Sequence, residues 1–195
     1  MLFKRVNGKS QLKKGAKIMT KWTILLCTCV LVAIGCNKNT KQETKTDPSA
    51  PRVGIYDSRA IAVAFPGTAF GKQTMSDLES RQDKAKAAGD QTEIKKLESE
   101  AQSLDGMLHK QAFSTAPVDN LMAYIAGQLP EIKKQAGVEL IVSKWDTQAL
   151  AKYESSQKKD VTVLLVDAFK PKADGKNMAL EIMKSDPLPL EEWND

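Results

Sequence analysis

The chain has 195 residues, 29 Lys plus Arg against 24 Asp plus Glu, 42% hydrophobic and 27% charged residues, three Cys and one His. That length suits one domain with an extension, and the charged fraction excludes an integral membrane bundle. The net charge of +5 and the pI near 9.0 invite a nucleic-acid partner only until the charge is located.

Residues 1–35 hold seven basic residues and no acidic one, which leaves 22 basic and 24 acidic residues for 36–195. The basic character therefore belongs to a leader, and no nucleic-acid partner is expected. Trp22 to Gly35 is an uncharged, mostly apolar run of 14 residues. That is short for a membrane span of ~20 residues and right for the core of an export signal. Met19-Thr20-Lys21 forms a complete basic start, and codons for Lys14-Gly15-Ala16 can spell a ribosome-binding sequence, so Met19 is the expected true start. The run ends in Ala33-Ile34-Gly35-Cys36, which resembles a bacterial lipobox. Cys36 is then the lipidated first residue of the mature chain, and Cys27 and Cys29 are small hydrophobes of the signal core. With no second cysteine after Cys36, stability must come from packing or assembly.

Residues 36–51 are polar with two prolines and read as a flexible tether. A strand is predicted near 52–56, followed by a short helix or turn up to Pro66-Gly67. From about 71 to 113 the sequence turns charged, with Met75, Leu78, Gln82 and Ala85, then Ile94, Leu97, Ala101, Leu104 and Leu108, at coiled-coil spacing. The two stripes break register at Ala88-Gly89-Asp90, where Gly ends one helix and Asp90 caps the next. The pattern predicts an antiparallel helical hairpin with a first helix of ~17 residues, ~26 Å long. Apolar residues from Val118 to Ala136 keep helical phase through Pro130 and predict one kinked helix ending at Gly137. Val138 to Ser143 predicts a strand, with Ala149 to Tyr153 as its hairpin partner. Residues 161–169 fit either strand or helix, Asn177 to Lys184 a short helix, and Pro187 to Leu190 an extended tail that docks on the body.

No phosphate loop, dinucleotide fingerprint, nucleophile elbow or metal-spaced His/Cys cluster occurs, so no enzyme activity, cofactor or metal is expected. His109 reads as a solvated helix position, with a catalytic or metal-ligand role as the alternative. Asp57-Ser58-Arg59 reads as a cap or turn, with a binding trio as the alternative. Trp145-Asp146 and Tyr153 read as hairpin packing or an aromatic shelf. Residues 72–110 carry seven basic and eight acidic groups, too balanced for a phosphate-binding stripe.

The order of tether, strand, charged hairpin, apolar helix and strand pair resembles the Skp/OmpH family of periplasmic chaperones. The residues that carry the resemblance are Val53-Gly54-Ile55-Tyr56-Asp57-Ser58-Arg59, Lys86 to Glu93 at the hairpin tip, Val138 to Val142, and Lys159-Asp160-Val161-Thr162. It covers about 52–169 and leaves 170–195 as a C-terminal extension. It implies an α+β fold, a small β body with a protruding coiled-coil arm, and a helix opening at Asp160-Val161-Thr162. It also implies a homotrimer that holds unfolded outer-membrane proteins, in line with the expectation that the few strands of one chain are too few to bury a core alone. Met75, Met107 and Phe113 are candidates to line a client-binding surface, beside a plainer role as hairpin core. Three features depart from the best-known members: the lipid anchor, the short arms, and arms without strong positive charge. A membrane-anchored, periplasm-facing holdase lipoprotein is the expectation, with a structural or interaction lipoprotein of the envelope as the alternative. Asn37 after the lipidated cysteine favours the outer membrane by the sorting rule of enteric bacteria.

Overall fold

The computed structural model describes residues 49–190. The leader, Met19, the lipobox with Cys36, and the tether up to residue 48 lie outside the described residues. The elements run β1 (Val53–Tyr56), α1 (Ser58–Ala64), a 3-10 turn (Phe65–Gly67), α2 (Ala69–Ala88), α3 (Gln91–Phe113) and α4 (Asp119–Met122). A 3-10 segment (Ala123–Gln128), α5 (Leu129–Ala136), β2 (Leu140–Ser143), α6 (Thr147–Ala151), β3 (Lys158–Asp160), α7 (Thr162–Ala168) and α8 (Ala173–Ile182) follow. The fold is α+β.

The three strands form one parallel sheet in the order β2-β1-β3. This corrects the expected strand hairpin. Asp146 accepts a hydrogen bond from the Ala149 N–H at 2.9 Å and starts α6 in its place, so Ala149 to Tyr153 is not a strand. The 14 residues between β2 and β3 are long enough for the crossover that a parallel pair requires. Gly54 is needed in the centre of the sheet, because a Cβ there would lie 3.1 Å from Val161 and 3.2 Å from Val138.

The core closes around α1, in which every residue except Val63 is buried. Its alanines let neighbours approach, and Ile61, Phe65, Leu121, Ile125, Leu165, Val166 and Phe169 pack in the same cluster. The expectation that one chain has too few strands to close a core is corrected: helices, including Ala179 of α8, supply what the sheet lacks. Phe65 and Phe70 each lie within 5.2–6.4 Å of both Tyr124 and Phe169, a ring cycle that ties the start of α2 to the end of α7.

Helices α2 and α3 meet through a smaller cluster of Leu78, Ala85 and Leu97, flanked by Ile94 and Ala101. Gly89 ends α2 with φ 68°, a left-handed conformation that costs little only without a side chain. Asp90 then caps α3 by accepting from the Thr92 and Glu93 N–H groups. Arg81 forks onto Glu100 at 2.7 and 2.9 Å, which fixes the register of the two helices. At 20 residues α2 is ~30 Å long, longer than the ~26 Å expected, and α3, at 23 residues, is ~35 Å long.

The expected kinked helix at Pro130 is instead interrupted upstream by the 3-10 segment, and Pro130 sits in the first turn of α5, where a missing N–H is harmless. The buried face still follows the predicted phase through Leu121, Ile125, Ile132 and Ala136. Residues 161–169 are helical as α7. The tail reaches the body where the Leu188 N–H donates to the Phe113 carbonyl at 2.8 Å beside a bridge to Ser114.

Candidate functional site

A parallel sheet places the carboxyl ends of all its strands on one edge, so the residues after Tyr56, Ser143 and Asp160 converge there. Asp57 follows β1 and caps α1, accepting from the Arg59 N–H at 3.0 Å. The same carboxylate accepts from Arg59 Nε at 3.1 Å, Arg59 Nη2 at 2.8 Å, Lys144 Nζ at 2.8 Å and Trp145 Nε1 at 3.3 Å. Its backbone N–H donates to Thr162 Oγ1 at 3.0 Å. The Arg59 guanidinium lies 5.1 Å, and Lys144 Nζ 4.4 Å, from the centre of the Trp145 ring.

Asp57 and Arg59 are each 1% exposed, Lys144 29%. Burial works against the Asp57 charge, but hydrogen bonds from Arg59 and Lys144 and their positive charges outweigh it, holding the carboxyl below its ordinary range. Five donors engage its two oxygens, which favours the charged form and a structural role for the carboxylate. Asp57-Ser58-Arg59 is thus a cap joined to a buried ion network, the plainer of the two sequence readings. Arg59 Nη1 and Ser58 Oγ are buried without a partner. Sequence reasoning missed Lys144, whose only signal was a position just past a strand, and took Thr162 only as part of a helix opening.

Beside this network lies a cleft of about 470 Å³ lined by Tyr56, Asp119, Trp145 and Asp146, with Ile141 to Ser143 along one side and Thr115 and Pro117 along another. Burial pushes the Tyr56 hydroxyl up to about 12, and the nearby charges of Asp119 and Asp146 add to it. The neutral phenol is the form that suits the folded state. Its contribution is complete below pH 10 and is lost as the pH rises from 10 through 12. Tyr56→Phe is expected to flatten this alkaline limb by roughly 2 kcal/mol, read from urea midpoints at pH 9 and 11.5 beside the unaltered chain. Equal pH slopes in the two proteins would contradict the assignment.

Trp145 packs on cations and Asp146 caps α6, so neither closes a strand hairpin. Tyr153 is half-buried after α6. His109 is exposed, its Nδ1 3.0 Å from the Asp105 carbonyl oxygen and its ring stacked 6.2 Å from Phe113. Met75, Met107 and Phe113 are 46%, 37% and 42% exposed, which corrects their reading as hairpin core. Met107 Sδ lies 3.6 Å from Asn120 Nδ2, while Phe113 lines an apolar hollow of about 440 Å³ with Val63, Met178 and Ile182. Among the described residues no group of three or more His, Cys, Asp or Glu is placed to hold a metal, and no helix is long and apolar enough to cross a membrane. No protein-family model, curated protein or solved structure matches the chain.

Proposed function

We propose that this chain is a membrane-anchored lipoprotein of the cell envelope, of Skp/OmpH type, that holds unfolded exported proteins through apolar side chains on and beside its helical hairpin. The observation that carries the reading is the exposure of Met75, Met107 and Phe113, joined by Met178 at 61%. Partly exposed methionines at several places make individually weak, adaptable contacts, which suits a ligand without fixed structure. Holding would come from many such contacts at once rather than from one deep pocket. The lipid on Cys36 and the polar tether would keep this surface facing the periplasm at the membrane.

A trimer is part of the Skp/OmpH reading, although one chain already closes its own core. Light scattering that finds a stable monomer would remove the trimer and leave holding to single tethered chains.

The test is dilution of a urea-unfolded outer-membrane β-barrel protein into buffer with the full chain. Suppressed aggregation is expected. Met75→Gln with Met107→Gln should weaken suppression by roughly five- to tenfold in effective concentration, from the lost apolar contact, while the melting temperature stays within 2 °C. No suppression by the unaltered chain at excess would leave the alternative, an envelope interaction protein built on the same hairpin.

A further inference from the structure

We propose that the cleft along the outer edge of β2 binds an extended polypeptide segment as an added strand, with a Lys or Arg side chain of that segment seated between Asp119 and Asp146. The site shares no residue with Met75, Met107 or Phe113 and does not depend on the hairpin reading.

Successive residues of a strand point to opposite faces, yet Ile141, Val142 and Ser143 all line the cleft. A hollow bordered by three consecutive residues runs along the strand edge rather than over one face. β2 has β1 on one side and no strand on the other, so a row of its backbone groups is turned outward. Among the described residues, Leu140 to Val142 hydrogen-bond to no segment except β1.

The two sheet edges differ in how they are guarded. β3 is Lys-Lys-Asp, and charge on an edge discourages a further strand. β2 is Leu-Ile-Val-Ser, with no charge, proline or bulge to discourage one. Its four residues offer ~13 Å of edge, enough for a short added strand. Adding a strand gains main-chain hydrogen bonds that are indifferent to sequence, and the cleft walls then select among side chains.

Those walls carry two carboxylates and no basic group. Asp119 makes no ion pair or side-chain hydrogen bond among the described residues. The Asp146 carboxylate is engaged only as the cap of α6. Lys144, next to the cleft, is paired with Asp57 at 2.8 Å rather than with either of these carboxylates. The Tyr56 and Trp145 side chains border the cleft beside these carboxylates.

The test measures fluorescence anisotropy of labelled seven-residue Thr/Val peptides with the full chain in detergent micelles at low salt. A peptide with a central Lys is expected to bind about tenfold more tightly than one with a central Glu, two screened ion pairs being exchanged for two repulsions. N-methylation of the peptide amides should abolish binding. Asp119→Asn with Asp146→Asn should make the Lys and Glu peptides equal. Should the loss of the α6 cap unfold that variant, Asp119→Asn alone is expected to remove about half of the preference on a logarithmic scale. Equal binding of the Lys and Glu peptides to the unaltered chain would overturn the proposal, as would indifference to amide methylation. So would sedimentation of the unaltered chain as an oligomer that Val142→Lys dissociates, since the edge would then belong to a second copy.

Discussion

Asp57→Ala is expected to lower stability by about 3–5 kcal/mol, the usual cost of removing one partner from a buried ion pair. Three losses coincide at this position. The first turn of α1 loses its cap, Arg59 keeps a charge that is 1% exposed with no counter-ion, and Trp145 Nε1 loses its acceptor. Lys144 can turn to water and Arg59 cannot, so the cation behind the carboxylate dominates the cost. A domain of this size is commonly stable by ~5–15 kcal/mol, so the variant would be partly unfolded at modest urea. Urea titration with an unchanged slope checks the number.

The acid limb gives an independent reading. The Asp57 carboxyl is held below its ordinary range when folded, so its contribution is present above the unfolded value near 4 and disappears as the pH falls through the lower folded value. The unaltered chain should lose stability below pH 4 more steeply than Asp57→Ala. Lys144→Met, which removes the surplus cation and leaves the Asp57–Arg59 pair, is expected to cost no more than about 1 kcal/mol. A cost as large as that of Asp57→Ala would assign the network to Lys144 instead.

Phe169→Ala should cost about 3–5 kcal/mol, as buried aromatic truncations do. Phe169 is 1% exposed and meets Phe65 and Phe70 edge-on at 6.4 and 6.3 Å. The void would open where the 3-10 turn, the start of α2 and the end of α7 meet, with α1 on one side and limited freedom to collapse. Hydrogen exchange should show the loss first in α1, α7 and the base of α2. The tip cluster of Leu78, Ala85 and Leu97 is separate from the main core and should change less. Protection lost uniformly along α2 and α3 would mean that the hairpin and body form one cooperative unit.

These expectations rest on features of unequal visibility in the sequence. Gly89-Asp90, the coiled-coil spacing and β1 were legible because each is local chemistry: a left-handed cap, a side chain bonding the N–H groups two and three residues on, an alternating apolar run. The same reasoning failed at Ala149 to Tyr153, where an Asp cap three residues before Ala149 outweighed the search for a partner to β2. β3 was invisible, since Lys158-Lys159-Asp160 has neither β-propensity nor alternation. It is a strand because β1 offers a free edge and Val161 and Thr162 anchor the segment behind it, with the Val161 N–H donating to the Ile55 carbonyl at 2.9 Å. The candidate site was half legible. Asp57-Ser58-Arg59 stood out, but Trp145 is 88 positions from Asp57, and nothing in spacing links them.

Composition and pattern by themselves determined that the basic charge sits in residues 1–35, that about 71–113 is a charged helical pair with a turn at Gly89, and that no familiar catalytic motif is present. Each follows from residues near one another in the chain. Only the tertiary structure decided that the strands are parallel, that the core closes around α1, and that Met75, Met107 and Phe113 are 37–46% exposed. It also decided that Asp57, Lys144 and Trp145 meet while Asp119 and Asp146 border an open strand edge. Those outcomes depend on which surfaces are left over after helices and strands pack, and long-range packing is decided by the sum of all burials rather than by any one segment.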